Sequence, residues 1–235
     1  MSTLAEAPVL PPLLRGEAVT GDVFAAAVAR AEAGVAPGTV LYEITPAALA
    51  FAIVLAPEVR LGEAVGVIPA LQLALADSLG ALGPPEVAIH HVWPAATRIN
   101  GAVGPTWRAA ANAEDPGAEP DWLVAAVTIP LGTPAERPGD TPGTTTLAEE
   151  GFAALTPTAL VESLSRHMLS WINRFVSEGF APVGAAWSAA CADIGGPVAV
   201  PVPGRLLGLD ERGGAVVAGT HGTVTVPLTR MLTRP

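Results

Sequence analysis

Apolar positions in this chain follow two rhythms, one recurring every three or four residues and one of short dense runs, with proline and glycine between them. Residues 1–19 are proline-rich and predict an extended surface arm. Thr20 or Asp22 can cap a first helix in which Val23, Phe24, Ala27, Val28 and Ala31 recur at helical spacing until Gly34 stops it. Two short strands are predicted next, at 39–43 and 51–55. Between 61 and 82, Val65, Ile68, Leu71, Leu75, Leu79 and Leu82 keep the spacing of a long core helix, which Pro69 must kink or start late.

The run 87–93 reads as a strand, and 97–112 as a hairpin turning at Asn100-Gly101, a pair suited to a two-residue type I′ turn. Residues 121–131 form a dense apolar strand, expected to be buried on both faces, and the Pro/Gly/Thr-rich stretch 132–146 reads as a surface linker. Thr156 and Pro157 provide an N-cap and first-turn proline for a helix in which Leu160, Leu164, His167, Met168, Trp171, Ile172 and Phe175 share one broad face up to Gly179. A shorter helix, 182–192, carries Trp187 and Cys191. Four β-prone runs at 198–202, 205–209, 215–218 and 223–228 then suggest a small barrel-like module or meander.

Composition narrows the chemistry. Half the residues are apolar, yet only 5% are aromatic, so the hydropathy comes from alanine more than from greasy runs. The longest uninterrupted apolar run, 47–56, is half of the roughly 20 residues a spanning helix needs. No membrane segment is expected, and the proline-broken N-terminus does not read as a signal peptide. A net charge of −10 disfavours nucleic acid, and the lone Cys191 fits a reducing, cytoplasmic compartment. All 12 basic residues are arginine. Without lysine, Schiff-base chemistry and a P-loop lysine are excluded.

The segment Val92-Trp93-Pro94-Ala95-Ala96-Thr97-Arg98-Ile99-Asn100-Gly101-Ala102-Val103-Gly104 resembles the Lys-Trp-Pro-Asn-Asp signature of the biotin/lipoate protein ligases, followed by their Asn-Gly and catalytic lysine. The tail from Gly204 to Gly214, with Asp210 between, is similar to that family's C-terminal strand and turn. The resemblance implies an α+β fold, a mixed sheet flanked by helices, with a helical insertion and a small C-terminal β-barrel-like module. It suggests units at 1–146, 147–192 and 193–235, the middle one resembling an extension in an uncharacterised ligase-like subgroup.

Against that pattern, Val92 stands in place of the first lysine, Ala95-Ala96 in place of Asn-Asp, and Val103 in place of the catalytic lysine. Only 44–50 connects the first two predicted strands, too little for the family's Gly-Arg-rich lid over biotin and its adenylate. Adenylation needs a cation at the developing pentavalent phosphate, an electrostatic contribution of roughly several kcal/mol. If Asn100-Gly101 is a two-residue turn, Arg98 lies opposite Val103 and could hold a carboxylate or phosphate, although it could not act as a base.

Trp93, Arg98, Asn100, Trp107 and Arg108 are therefore the candidate ligand-binding residues, and no catalytic residue is assigned. His90 and His91 point to opposite faces of one strand, and neither His167 nor His221 has a second ligand at metal-binding spacing, so no metal is expected. Cys191 lacks the lysine partner of related acyltransferases and should be an inert packing residue. The leading expectation is a non-adenylating ligase-like protein that keeps a pocket for a biotin-like or short acyl ligand, or a docking surface for a carrier domain. The alternatives are a divergent biotin or lipoate transferase, using ATP with Arg98 or Arg108 in place of lysine, and a protein-binding scaffold. A homodimer is expected from the resemblance alone.

Overall fold

The computed structural model describes residues 7–132, 143–200 and 202–233. Along the first half run β1 (Arg15–Ala18), α1 (Val23–Glu32), β2 (Thr39–Ile44), β3 (Ala48–Leu55), α2 (Leu61–Ala64), α3 (Val67–Leu82), β4 (Ile89–Val92), β5 (Ala96–Ile99), β6 (Ala102–Ala111) and β7 (Leu123–Pro130). The second half holds α4 (Pro157–Glu178), α5 (Phe180–Ala189), β8 (Pro197–Val198), β9 (Gly204–Leu209), β10 (Ala215–Gly219) and β11 (Gly222–Val226). The first seven strands form one mixed sheet in the order β1-β2-β3-β7-β6-β5-β4, and the last four a separate antiparallel sheet. This is the expected α+β architecture. The C-terminal module is an open meander, β11-β10-β9-β8, rather than a closed barrel.

Local chemistry explains most element boundaries. The Asp22 carboxylate accepts the Ala25 N–H at 3.1 Å to cap α1, and Gly34, at φ +77°, takes the left-handed conformation that ends it. The expected single helix over 61–82 is interrupted at Val65-Gly66. Aromatic rings sit against that break: a Cβ on Gly66 would lie 2.9 Å from Phe175 and 3.1 Å from Phe180. Pro69 falls in the first turn of α3, where a missing N–H costs no intrahelical bond, so it sets a late start and no kink. The segment Leu61–Leu82 is apolar enough to cross a membrane by composition, but 72% of its most apolar window is buried within the protein, which makes it a core element.

Two expectations for the N-terminal half need correction. Part of the predicted surface arm is the edge strand β1, parallel to β2 with Arg15 opposite Thr39. Its burial shows no alternation, so no period-2 signal marked it. Strand β3 begins at Ala48, leaving only 45–47 to connect it to β2. Of the predicted linker, 133–142 lies outside the described residues.

The two sheet faces are covered unequally. On one, α1 packs Val23, Phe24, Ala27 and Ala31 over Leu41, Ala52, Val54, Ala110, Val124 and Ala126. On the other, a continuous apolar cluster joins α3, α4 and α5 to the small C-terminal sheet through residues such as Leu71, Leu164, Trp187, Leu206 and Val217. The cluster passes through all three predicted units. Within it, Trp187 donates its indole N–H to Gln72 Oε1 at 2.6 Å, and Gln72 donates to the Pro94 carbonyl at 2.9 Å. Trp93 donates to the Gly213 carbonyl at 2.9 Å, pinning the β9–β10 turn to the main domain.

His91 is fully buried beneath α5, stacked on Trp187 at 5.6 Å, and neither ring nitrogen has a partner among the described residues. Burial, and to a lesser extent neighbouring His90, lowers its pKa from 6.5 to about 4. The unfolded chain therefore takes up a proton near pH 6.5 that the folded protein refuses until about pH 4. Stability from this group is complete above pH 6.5 and falls as the pH drops, by up to about 3 kcal/mol near pH 4. Urea unfolding at pH 7, 6, 5 and 4 should show His91→Phe, which keeps a ring against Trp187, with a shallower loss than the parent. Parallel pH profiles would rule out the linkage.

Candidate functional site

Where α1 stops covering the sheet, an open patch begins, and strand register determines which side chains share it. Asn100 and Gly101 have φ of +49° and +93°, and Ile99 pairs with Ala102 and Arg98 with Val103. This is the register a two-residue turn demands. The next pair is Ala96 with Thr106, so β6 carries one extra residue at Gly104-Pro105. Proline, with no N–H to give to a ladder, is suited to such a bulge.

Residues opposite or two apart share a face. Glu43, Ala50, Thr128, Thr106, Ala96 and Val92 thus form one row across the sheet. His90, Arg98 and Val103 form a second row beyond it, and Arg108 lies on the α1 side. Thr106, Arg108 and Thr128 are exposed, and the other members are half-buried.

Both cations of this face are engaged. Arg98 Nη1 is 2.7 Å from Asp193 Oδ1, with the two side chains 31% and 22% exposed. Asp193 follows α5, so the helical extension reaches round to the hairpin. Arg108 Nη1 lies 3.2 Å from Asp22 Oδ2, and its guanidinium stacks 4.0 Å above the Phe24 ring. The Ala25 N–H, and secondarily Arg108, hold the Asp22 carboxyl below its usual pKa. Asp22 therefore stays ionised, caps α1 and neutralises Arg108. At the far end of the patch, Glu43 Oε1 accepts the Gly21 N–H at 2.9 Å.

Of the candidate binding residues, Arg98 and Arg108 are brought onto this one face. Trp93 and Trp107 lie instead in the core cluster on the helix-covered side, 8% and 6% exposed. The Trp107 indole N–H, like Thr97 Oγ1 and both nitrogens of His91, is buried without a partner among the described residues. Asn100 occupies the turn and is spent structurally: its Oδ1 accepts the Ala88 N–H at 3.0 Å, and its Nδ2 donates to Glu150 at 2.6 Å. His167 is shared between Ser78 at 3.1 Å and Ser163. Cys191 is buried, and desolvation pushes its thiol pKa up. Among the described residues no group of three or more His, Cys, Asp or Glu could hold a metal ion.

Sequence reasoning missed Glu43, Thr106, Thr128 and Asp193. The Asn-Gly turn would have placed Thr106 had Pro105 been read as a bulge. Asp193 lies 95 residues from Arg98, and no local pattern links them.

The sequence profile of the Biotin/lipoate A/B protein ligase family matches residues 10–189. The chain belongs to that family. It is 29% identical over 166 residues to a Biotin--[acetyl-CoA-carboxylase] ligase of Paracoccus denitrificans, which spans 66% of this chain and 67% of the relative. Among solved structures, a biotin protein ligase-like protein of unknown function from Silicibacter sp. superposes with a TM-score of 0.90 at 38% identity, covering 97% of this chain and 100% of the other. The biotin protein ligase of Aquifex aeolicus gives 0.71 at 17% identity over 91% and 92% of the two chains, a likeness of fold.

The Arg98–Asp193 pair sits where solvent only partly screens it, and should couple the extension to the hairpin by about 1 kcal/mol. A double-mutant cycle of Arg98→Ala and Asp193→Ala, followed by urea unfolding, measures that coupling. Strictly additive effects would show that the pair is not held in solution.

Proposed function

We propose that this protein is a ligase-family member that does not adenylate, and that its open sheet face receives a biotin-like or short acyl ligand, or the carrier domain bearing one. The observation that carries the reading is the ion pair of Arg98 with Asp193 opposite Val103. Where the resemblance places a catalytic lysine, the chain offers a valine, and the arginine paired with it across the hairpin is committed to an aspartate. A transferring phosphoryl group is stabilised by uncommitted positive charge aimed at its oxygens, and here that charge is already answered. The three-residue connection 45–47 is also too short to close over an adenylate.

The ligand class follows from the relatives. A structure of the Aquifex aeolicus enzyme holds biotin and ATP, and the Paracoccus denitrificans relative is a ligase for acetyl-CoA carboxylase. On this chain Thr106 and Thr128 offer hydroxyl groups side by side on β6 and β7, suited to a ureido or carboxylate oxygen. The open, lid-less shape also suits a carrier domain, since a protein partner can supply its own cover. The compartment proposed is the cytoplasm. The runner-up, a divergent transferase, draws on Arg108, which is exposed on the same face.

Thermal unfolding with biotin, lipoate, octanoate and ATP, singly and in pairs, alongside pyrophosphate release, tests this. An acid at about 100 times its dissociation constant adds roughly 2.7 kcal/mol, a rise of about 5–10 °C for a chain of this size. A shift with an acid alone and no pyrophosphate is the expected result, with Thr106→Val abolishing it. Pyrophosphate release that depends on Arg98 or Arg108 would overturn the non-adenylating reading in favour of the transferase.

A further inference from the structure

A cavity of about 750 Å³ lies away from the open sheet face. Pro37, before β2, and Leu55, at the end of β3, mark its position, whereas the open face uses the end of β2 and the start of β3. From Ala50 to Leu55 alone is about 17 Å of strand. Its walls are Leu55, Val67, Ile172, Phe175 and Phe180, drawn from the sheet, α3, α4 and α5. Such a volume and lining fit a small organic ligand, for which sites usually run to roughly 300–1,000 Å³.

The walls are fixed by contacts at two glycines. Phe175 and Phe180 close on Gly66, and Phe180 also packs on Gly213, where a Cβ would come within 3.1 Å of its ring. The turn carrying Glu211 and Arg212 is thereby set against the groove. Two apolar side chains remain wet at the rim: Val59 is 41% exposed and Val176 is 76% exposed. A ligand that covers them gains apolar burial that the free protein lacks.

The charge of the lining selects among ligands. Glu58, Glu63, Glu211 and Arg212 share the lining, three carboxylates with one guanidinium. None of the three makes a side-chain hydrogen bond or ion pair among the described residues. Arg60 lies in a small adjoining cleft shared with Glu63 and Arg212, and counting it still leaves the mouth negative. Two aromatic rings beside unpaired carboxylates form a surface that attracts a cation and repels an anion.

We propose that this groove binds an amphipathic organic cation, an apolar body bearing a protonated or quaternary amine. The apolar part lies along Ile172, Phe175 and Val176, and the cation is held at the carboxylate rim. The site is independent of the proposed acyl site on the sheet.

The test is titration calorimetry with three probes of equal chain length, octyltrimethylammonium, octanol and octanoate, each below its micelle concentration. Saturable one-to-one binding of the cation, at least 10-fold tighter than any octanoate that competes with it, is the expected result. Val176→Lys, at an exposed position that should tolerate it, should weaken the cation 10-fold or more without moving the unfolding midpoint. Glu58→Gln with Glu63→Gln should narrow the gap between cation and alcohol. Octanoate that displaces the cation with equal or greater affinity overturns the assignment, as does cation binding indifferent to Val176→Lys or no saturable binding at all. Octanoate binding lost with Thr106→Val and kept with Val176→Lys belongs to the sheet face, so the two sites can fail separately.

Discussion

Helix α3 is apolar on almost every side, and a helix of that kind persists in water only when wrapped. Eleven of its sixteen residues are buried, from Val67 to Leu79. The sheet covers one side, α4 lies along another, and α5 reaches its start through Trp187 and Gln72. Burial of this much aliphatic surface, at roughly 25 cal/mol per Å², is the main favourable term available to the fold. The helical extension is therefore not an ornament on a finished domain. Removing it would expose the α3 face that Leu160, Leu164 and Met168 now cover.

Wrapping α3 also decides where function can be. The helix-covered face of the sheet is committed to packing, and Trp93 and Trp107 go with it. The opposite face is only half occupied, because α1 is ten residues long and ends its coverage near Arg108. What remains is a strip of short polar side chains with two arginines, each tied to an aspartate from a distant element. Asp22 and Asp193 thus act on the site as much as the arginines do. They neutralise both guanidinium groups, and they brace the hairpin and α1 against the rest of the body.

Where a local rule governs an element, the sequence disclosed it. Asn100-Gly101 dictated the hairpin register down to the pairing of Arg98 with Val103, Thr156-Pro157 dictated the start of α4, and the spacing of Leu71, Leu75 and Leu79 dictated a core helix. The α+β class and family kinship were equally legible from Trp93-Pro94 and the turn that follows. The features that escaped are set by tertiary partners. Strand β1 forms because β2 offers a parallel edge, the break at Gly66 forms because two phenylalanines need the space, and Asp193 finds Arg98 only after α5 is folded onto the sheet. The tryptophans show the limit of inference by neighbourhood: Trp107 is adjacent to Arg108 in sequence and on the opposite side of the sheet.

The same reasoning explains why one scaffold can keep a family's shape while its surface positions vary. Packing around α3 constrains dozens of positions through volume and period, and a change there costs stability directly. Val103 and the 45–47 connection stand outside the buried clusters, so side chains can change there with little cost to the fold. Across the hairpin from Val103, the half-buried Arg98 is neutralised by an aspartate from the extension. The same stretch of the extension reaches the edge strand β4, where the His91 N–H donates to the Ala190 carbonyl at 2.9 Å and occupies one donor of that edge. Arg98 thus ties the extension to the hairpin through Asp193, and the backbone contact at His91 ties it to the neighbouring edge strand.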